Sequence, residues 1–507
     1  PVVLDGTYSR VTGGTTMHWQ GNVPRMLPGD FEMRSRFGQG VDWPIRYADL
    51  MPYYSRAELE LGAAADVEEQ QYAGIAFEPG YVYPMRKMPA TYLDSLVAQG
   101  LAGCEIEHGA ERYPLTLRGI PQARNGIPNA AYDHGRGYQP SGSVSAHQDE
   151  AGMRCQGNTN CTPICPVQAK YDARRTLAKA LETGRVHFMP QAVASKVHVD
   201  SATGRVSGIE YKRYDDPASP AHRTATARGR VYVLASNAIE NARLMLASDL
   251  PGRSGLVGRN LMNHVYLFAW GLMPKSAGAM RGPQGTSGIE ALRSGAFRKQ
   301  HAAFHVDIIN NGWTYATGAP ATDLDRLVDR LNKFGPALRR ELAETIPRQI
   351  LLAFVVDVPA DANNRVAVDP SYVDALGNLR PVVSYGLPEY SIAGAAFGRQ
   401  VSRRIFQRLG VEDHTVYNPL DYGYMFYEGQ GLTLYGGNHF SGTHLMGSAP
   451  ASSVVDAKQR SWDHSNLFLT GSGSMPSIGT SNPTLTLAAL AISTAETIAK
   501  EINTATH

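Results

Sequence analysis

The sequence predicts an α/β protein of two domains, with at least one domain assembled from separated segments of the chain. A length of 507 residues is long for a single hydrophobic core, which favours a pair of domains. Residues 228–248 are typical of a strand, a turn and a helix in succession. Alternating strand-like runs and stretches with helical apolar spacing both recur along the chain. We therefore expect strands and helices to be mixed throughout the fold.

Composition and charge narrow the classes of function. Glycine (51) and proline (31) are plentiful, which suits a loop-rich enzyme better than a helical bundle. The formal net charge of +2 is small for this length, so it gives no reason to expect nucleic acid or an anionic membrane as a partner. No apolar run approaches the ~18 residues that a membrane span needs. The chain begins at Pro1 without a Met or a signal-like leader, so we expect it to be processed, trimmed or incomplete.

The first third of the chain is expected to combine loops with one clear helix. Gly13 and Gly14 stand in the run VTGGTTMHWQ, where glycine lets the backbone approach a ligand closely or adopt a positive φ. Residues 43–62 have the apolar spacing of a helix with one buried face, and Asp49 stands near its start. Residues 64–152 show no sustained period, which indicates loops and short strands that cover an active site.

Three of the four cysteines stand close together, as Cys155-x5-Cys161-x3-Cys165 followed by proline. Thiolates at this spacing on a Gly/Pro-rich loop can converge on one soft metal centre. A disulfide would leave one cysteine over, and zinc prefers four ligands. Three ligands suit an iron–sulfur cluster that lacks one iron corner, and buried free thiols are the alternative. Cys104 stands apart, and we expect it to be a small buried apolar residue.

The middle of the chain alternates strand and helix signals. Residues 171–184 are typical of a helix closed by Gly184. Strands are predicted over residues 186–189, 192–199, 206–211, 349–358 and 365–368, with a hairpin turn at 200–205. Residues 324–346 have the pattern of one helix with an exposed charged face.

The stretch richest in polar signals lies near the C-terminus, over residues 437–490. His439 stands just before a Gly-rich turn, and Asn482 precedes Pro483 at the start of a predicted helix over 484–502. Asn is a favoured N-cap, and Pro at the first helical position loses no hydrogen bond. Such a helix directs the positive end of its dipole at whatever lies beside Asn482. An electron-rich ring that becomes anionic on reduction would suit that place.

The motifs GTHLMG, SVVD, NLFL, GSGSMP and SNPTLTLAALA of this stretch resemble the closing segment of the glucose–methanol–choline (GMC) family of flavin oxidoreductases. The resemblance implies a two-domain α/β flavoenzyme with a discontinuous FAD-binding domain and a substrate domain whose β-sheet forms a wall opposite the flavin. It implies that His439 is the catalytic base and that Asn482 is a hydrogen-bond partner of the substrate hydroxyl, both beside the reactive edge of FAD. The alternative is a hydrogen-bonded loop histidine and a plain helix cap. GRNLMNHV matches another family segment, in which we expect His264 to be structural.

Residues 11–26 resemble the first signature of the same family, a Gly-Gly loop that lies over the flavin. The FAD-binding residues that the resemblance implies are Gly13, Gly14, Thr15, His18, Trp19, Asn237, Pro483 and Thr484. In the pyranose oxidase branch the histidine at the place of His18 is bonded to the flavin, so a covalent bond and a positioning role are both open. The G-x-G-x-x-G fingerprint of a dinucleotide-binding unit is absent from the sequence, so we expect the N-terminal βαβ unit to be missing.

The domain bounds follow from the segments in which the resemblance is strong. Residues 1–45, 170–265 and 437–507 are assigned to the FAD-binding domain. Residues 46–153 and 266–436 are assigned to the substrate-binding and cap regions, and residues 154–169 to an iron–sulfur loop.

The cysteine spacing resembles the [3Fe–4S] loop in the catalytic subunits of bacterial FAD-dependent glucose and fructose dehydrogenases. This resemblance implies that Cys155, Cys161 and Cys165 hold a [3Fe–4S] cluster. It implies oxidation of a sugar or sugar-alcohol hydroxyl to a carbonyl or lactone by hydride transfer to flavin N5. A small companion subunit, a c-type cytochrome as electron acceptor and a periplasmic location are implied as well. Two alternatives stay open: a pyranose-oxidase-like enzyme that passes electrons to O2, and an inactive fragment or metal-binding module.

Overall fold

The computed structural model describes residues 8–140, 153–159 and 161–504, and within these ranges the fold is mixed α/β, as the sequence predicts. The strands, in chain order, are β1 Ala63–Ala65, β2 Met85–Arg86, β3 Glu105–His108, β4 Glu111–Pro114, β5 Leu117–Gly119, β6 Gln122–Ala123, β7 Ala192–Val199, β8 Val206–Arg213, β9 Arg223–Ala227, β10 Tyr232–Leu234, β11 Val265–Leu272, β12 Ser287–Ile289, β13 Phe304–Ile309, β14 Gln349–Val356, β15 Arg365–Val373, β16 Leu379–Ser384, β17 Glu412–Asp413, β18 Tyr424–Tyr427, β19 Gln430–Gly436 and β20 Leu467–Leu469.

The helices, in chain order, are α1 Met33–Phe37, α2 Tyr47–Leu61, α3 Val67–Tyr72, α4 Tyr92–Gly100, α5 Tyr132–Gly135, α6 Arg174–Glu182, α7 Ala238–Ala247, α8 Thr314–Thr317, α9 Ala321–Asp325, α10 Gly335–Thr345, α11 Glu389–Leu409 and α12 Thr484–Thr504. Short 3-10 and π turns join several of them, among them the 3-10 turns Gly14–Met17 and Ala291–Arg293. Among the helices of the described residues, none is both long enough and apolar enough to cross a bilayer.

The largest sheet is antiparallel and follows the order β18-β19-β11-β14-β13-β12-β5, with β17 paired to β11. Its central strand β14 has the sequence QILLAFVV and is buried along its whole length. Such a continuous apolar run is typical of a strand covered on both faces. Helix α11 packs against β11 and β14 on one face, and Tyr266, Phe268 and Ala353 of the sheet line a cavity. The sheet is thus the wall that the sequence predicts.

A second group of elements joins parts of the chain that lie far apart in sequence. β10 pairs in parallel with β20, in the register Tyr232↔Leu467 to Leu234↔Leu469. β7, β8 and β9 form a three-stranded antiparallel sheet beside α7. Helix α12 packs against α2. These pairings assemble one unit from separated segments, which is the discontinuous arrangement that the sequence predicts.

Two large hydrophobic cores and two smaller apolar clusters lie in the described part of the fold. One large core draws on α2, on β7, β10 and α7, and on residues 440–490. The other packs α4 and α11 against the large sheet, and Cys104 is buried in it as predicted. Two cores are what a chain of this length needs, because a single core does not grow indefinitely. The domain bounds themselves stay a prediction.

Several local predictions are confirmed. β7 has the predicted bounds, β8 and β14 begin where expected, and the strand–turn–helix of residues 228–248 is β10 and α7. In α2, the backbone N–H of Arg46 donates to Asp49 Oδ2 at 2.8 Å, so Asp49 does act at the helix start. The helix ends at Gly62, whose φ of 63° suits glycine.

Three local predictions are wrong. Residues 64–152, predicted to be loops and short strands, also form the helices α3 and α4, and a capping box of Thr91 and Asp94 starts α4. Residues 186–189 are mostly exposed and form no strand, since they pair with no other strand in the part of the chain that the structure describes. The helix over 324–346 is broken, since α9 continues only into a π turn at Arg326–Arg330 and a new helix starts at Gly335. Gly335 has φ 58° and precedes a proline, so the chain leaves the helical path there.

Candidate active site

A cavity of about 1340 Å³ lies against the large sheet. Tyr266 and Phe268 of β11 and Ile309 of β13 line it on the side of the sheet, and the first residues of α12 line it as well. Pockets for drug-sized ligands occupy roughly 300–1,000 Å³. This cavity therefore has room for a large cofactor together with a substrate.

The residues that the sequence predicts to bind FAD are brought together on the wall of this cavity. They are Gly13, Gly14, Thr15, His18, Trp19, Asn237, Pro483 and Thr484. Gly13 has φ 94°, a backbone conformation that glycine adopts readily and residues with a side chain rarely adopt. The side chain of Asn237 is already used, because its Oδ1 caps α7 by accepting from Ile239 N and Glu240 N at 2.9 Å each. The part that each residue plays toward FAD stays a prediction.

His18 follows the 3-10 turn Gly14–Met17 and faces the cavity. Its Nε2 lies 2.8 Å from Ser9 Oγ. The neighbouring Trp19 is held by its indole N–H, which donates to the carbonyl of Tyr171 at 2.8 Å. These contacts fix where His18 lies and leave both predicted roles, covalent attachment and positioning, open.

The two predicted catalytic residues meet at the start of α12. Asn482 Nδ2 lies 3.4 Å from His439 Nε2, and both side chains line the cavity. The predicted N-cap at Asn482 is wrong in one respect: its buried Oδ1 has no hydrogen-bond partner among the described residues, so it accepts none from the helix. The side chain faces His439 instead. A buried amide oxygen left without a partner fits a bound ligand that carries a hydroxyl group.

The surroundings of His439 keep its imidazole neutral. Burial, helped by the nearby His305, lowers the pKa of His439 to about 3. A neutral imidazole has one nitrogen that can accept a proton. His439 can therefore act as a base at neutral pH.

Two residues that the sequence analysis did not assign to the site hold His439 in place. Asn263 Oδ1 accepts the backbone N–H of His439 at 2.7 Å. His264, expected to be structural, lies with its Nδ1 2.8 Å from His439 Nδ1. The signal that could have found them is a polar Asn-His pair directly before the buried strand β11. Through these contacts both residues reach His439, which lines the cavity.

A further buried polar group lies on β13 behind the cavity wall. His305 Nε2 is 3.1 Å from Asp307 Oδ1, and Asn22 Nδ2 donates to Asp307 Oδ2 at 3.4 Å. Burial by itself lowers the pKa of His305, but the Asp307 carboxylate outweighs that effect and leaves the pKa raised. His305 and Asp307 alternate along a strand that is otherwise apolar, which is a signal visible in the sequence.

Tyr266 of β11 completes the polar part of the wall. Burial raises the pKa of Tyr266, so its phenol stays protonated, and the side chain of Asn482 lies beside its hydroxyl. Its ring centre is 6.3 Å from that of His439. The sequence analysis did not single it out, because an aromatic residue in a strand is usually a packing residue.

The structure does not support the predicted iron–sulfur ligand set. Cys161 is buried, Cys155 and Cys165 are half-buried, and all three are free thiols. Within the described ranges, which contain these cysteines, no group of three or more His, Cys, Asp and Glu side chains stands together as metal ligands would. Burial raises the pKa of Cys155, which opposes the thiolate form that binds iron. In this structure the three residues do not fit a cluster.

The remaining features fit a flavin. The cavity combines a glycine-lined loop, the start of a helix of 21 residues and a neutral histidine beside an amide oxygen that has no partner. A helix start favours negative charge, and an isoalloxazine ring gains negative charge when it is reduced. The arrangement can bind such a ring and remove a proton from a hydroxyl placed against it.

Comparison with known proteins agrees with this site. Residues 134–266 and 360–491 match the two family models described as GMC oxidoreductase. The chain is 32% identical to the fructose dehydrogenase large subunit of Gluconobacter japonicus, over 97% of this chain and 80% of that protein. It is 25% identical to the 2-methyl-1,2-propanediol dehydrogenase of Mycolicibacterium austroafricanum, over 97% and 81%. Among solved structures, pyridoxine 4-oxidase from Mesorbium loti has the same fold, with a TM-score of 0.59 at 16% identity over 97% of this chain and 84% of that one. The chain therefore belongs to the GMC oxidoreductases, FAD-dependent enzymes that act on CH–OH groups.

Proposed function

We propose that this enzyme oxidises a hydroxyl group of a sugar or polyol to a carbonyl or lactone. The observation that carries the proposal is the pair formed by a neutral His439 and Asn482 on the wall of one large cavity. The amide oxygen of Asn482 has no partner within the described ranges. The names of the two relatives support the substrate class, since one acts on fructose and the other on a 1,2-diol. Both are small molecules that carry neighbouring hydroxyl groups.

Each residue of the site has a separate role in the proposed reaction. Bound FAD supplies the hydride acceptor for the substrate carbon. His439 Nε2 takes the hydroxyl proton, and Asn482 orients the same oxygen, so both atoms need to lie within ~3 Å of it. Tyr266 and Phe268 present aromatic surface to the cavity from β11. We propose that this surface holds the apolar side of the substrate ring.

Replacement of His439 by Gln tests the assignment. General-base catalysis is typically worth ~10²–10⁴-fold, so kcat with a dye acceptor should fall by about that factor while the bound FAD per chain is unchanged. His198→Gln is the matched control, because His198 stands on β7 outside the cavity with 40% of its side chain exposed. Turnover of the His439 variant within a few-fold of the wild type would exclude His439 as the base.

The partners and the location of the enzyme are further proposals. One relative is named as a large subunit, which supports a companion subunit for this chain. We propose a c-type cytochrome as the electron acceptor and a periplasmic location, with reduction of O2 as the alternative. Steady-state assays with cytochrome c and with O2 separate the two, because only the oxidase produces peroxide in step with substrate consumption.

The bond between His18 and the flavin is tested by acid precipitation. A covalent link leaves the flavin colour in the protein pellet and adds the flavin mass to the tryptic peptide that contains His18. Flavin found only in the supernatant leaves the positioning role.

A further inference from the structure

His264 is fully buried at the entry to β11 and touches the proposed base directly. Its Nδ1 lies 2.8 Å from His439 Nδ1, and the two rings stand perpendicular, with an angle of 90° between their planes. Its other nitrogen, Nε2, lies 2.9 Å from the carbonyl oxygen of Gly479. Gly479 belongs to the segment that leads into Asn482. His264 therefore connects the backbone near Asn482 to the ring of His439.

The carbonyl of Gly479 decides where the proton of His264 resides. Burial and the neighbouring His439 hold the pKa of His264 well below its usual value, so His264 is neutral and has a single N–H. A carbonyl oxygen only accepts hydrogen bonds. At 2.9 Å the partner of that oxygen must be a donor, so the proton of His264 is on Nε2 and its Nδ1 has a free lone pair.

The same reasoning fixes the proton of His439. Since His264 Nδ1 has only a lone pair, the 2.8 Å contact requires His439 Nδ1 to be the donor. His439 is neutral as well, so its Nε2 carries no proton. That nitrogen is the one facing Asn482 Nδ2 and the cavity.

We propose that His264 is a positioning residue which fixes His439 as the Nδ1–H tautomer and so directs the basic Nε2 at the substrate hydroxyl. The proposal rests on the proposed function, in which His439 is the base. Without an acceptor at the place of His264 Nδ1, a buried N–H of His439 would have no partner. The opposite tautomer, with its proton on Nε2, would then be favoured, and it cannot accept the proton of the substrate. When His439 takes that proton, its Nδ1–H still donates to His264, which stabilises the positive charge.

Two variants of His264 separate this role from simple packing. His264→Asn places an amide oxygen near the position of Nδ1 and keeps an acceptor for His439, whereas His264→Leu has none. Both variants lose the hydrogen bond to the Gly479 carbonyl. They therefore differ chiefly in whether His439 Nδ1–H has an acceptor. We expect His264→Asn to retain kcat within about tenfold of the wild type. His264→Leu should lose about 10²–10⁴-fold in kcat with KM changed little, because the base is disabled while the cavity is kept.

The tautomer itself can be read by nitrogen NMR of the FAD-loaded protein with isotope-labelled histidine, using His439→Gln to assign the signals. In the wild type we expect a protonated Nδ1 and an unprotonated Nε2 on His439, and the reverse in His264→Leu. A protonated Nε2 in the wild type, or an equal loss of kcat in both variants, would overturn the proposal. If His264→Leu does not fold, the wild-type spectrum still shows which nitrogen of His439 carries the proton, and this tests the proposal.

The proposed function fails in a different experiment. If His439→Gln keeps its turnover, His439 is not the base, and the NMR result then describes a structural hydrogen bond only.

Discussion

His439 shows how strongly the surroundings of one residue set its chemistry. The same imidazole in water would be partly protonated near neutral pH, because its ordinary pKa is 6.5. In the protein, three other buried histidines can be compared with it: His264, His305 and His444. Burial lowers the pKa of His439, His264 and His444, and only His305 has a carboxylate partner that raises it.

A pH profile tests this description of His439. A base works above its pKa, and a lowered pKa moves the loss of activity to lower pH. We therefore expect kcat/KM to show no acidic limb attributable to this histidine between about pH 5 and 8. The measurement is kcat/KM for the sugar or polyol with a dye acceptor across that range. A clear fall centred near the ordinary histidine value would contradict a buried, neutral base.

Stability must be followed in the same buffers. A histidine whose folded pKa is lowered takes up protons mainly after unfolding, so stability falls as pH drops below the unfolded value of 6.5. Melting temperatures recorded beside the rates therefore show whether a loss of activity at low pH is unfolding rather than protonation of the base.

At the scale of elements, the period and composition of the sequence predicted strands of two kinds, a local hairpin and a long apolar run. β7 and β8 form a hairpin around a polar turn, and β14 is an apolar run long enough to be a central strand. Residues 186–189 are also mostly apolar, but they pair with no strand of the described residues. Whether a short apolar run becomes a strand depends on a partner far away in the chain, which single-sequence patterns do not contain.

The sequence predicted which residues belong to the candidate site, but it did not predict the contacts between them. His439, Asn482 and the glycine loop stand in recognisable motifs, and the structure brings them to one cavity. The contact between His264 and His439 depends on how β11 packs against the C-terminal segment. The free Oδ1 of Asn482 depends on a side-chain rotation that no motif records.

The turn after His439 depends on one glycine. Gly442 has φ 88°, and a Cβ there would lie 2.1 Å from the carbonyl oxygen of Asn260. This close approach lets Met262 and Ser441 exchange backbone hydrogen bonds at 2.9 and 3.0 Å beside the site. A side chain at this position must displace the backbone that leads into Asn263 and His264.

Gly442→Ala should therefore destabilise the protein more than its backbone angle alone explains. Gly38 is the matched control, since it ends α1 with φ 77° and a Cβ there would meet nothing within 4 Å. We expect Gly38→Ala to lower the free energy of unfolding by only ~1–2 kcal/mol, which is the strain of a left-handed backbone at a residue with a Cβ. Urea denaturation of both variants and of the wild type gives the comparison. Equal losses of stability in the two variants would show that the backbone at Asn260 can move away from the new Cβ at little cost.

At the scale of the whole molecule, two buried arginines connect the two cores. Arg298 lies between Asp30 and Asp357, at 2.7 and 3.1 Å. Arg293 is 1% exposed and donates to Thr480 Oγ1 at 3.0 Å and to the carbonyl of Arg25 at 3.0 Å. Planar guanidinium groups can bind several oxygens at once, which a lysine ammonium cannot do in the same geometry. The segment before Asn482 is thereby attached to both halves of the protein.

Replacement of Arg293 by Lys should lower stability and activity together. Lys keeps the charge near Glu290 but cannot also reach Thr480 and Ser481, and each buried acceptor left unpaired costs roughly 1–3 kcal/mol. Because Ser481 adjoins Asn482, kcat should fall even below the urea concentration at which unfolding starts. Arg112→Lys is the control, since Arg112 pairs with Glu107 on the surface with 68% and 69% of the two side chains exposed, and it should change stability by no more than ~0.5 kcal/mol. If Arg293→Lys matched the wild type in both urea midpoint and kcat, the connection between the cores would have to lie in their apolar contacts.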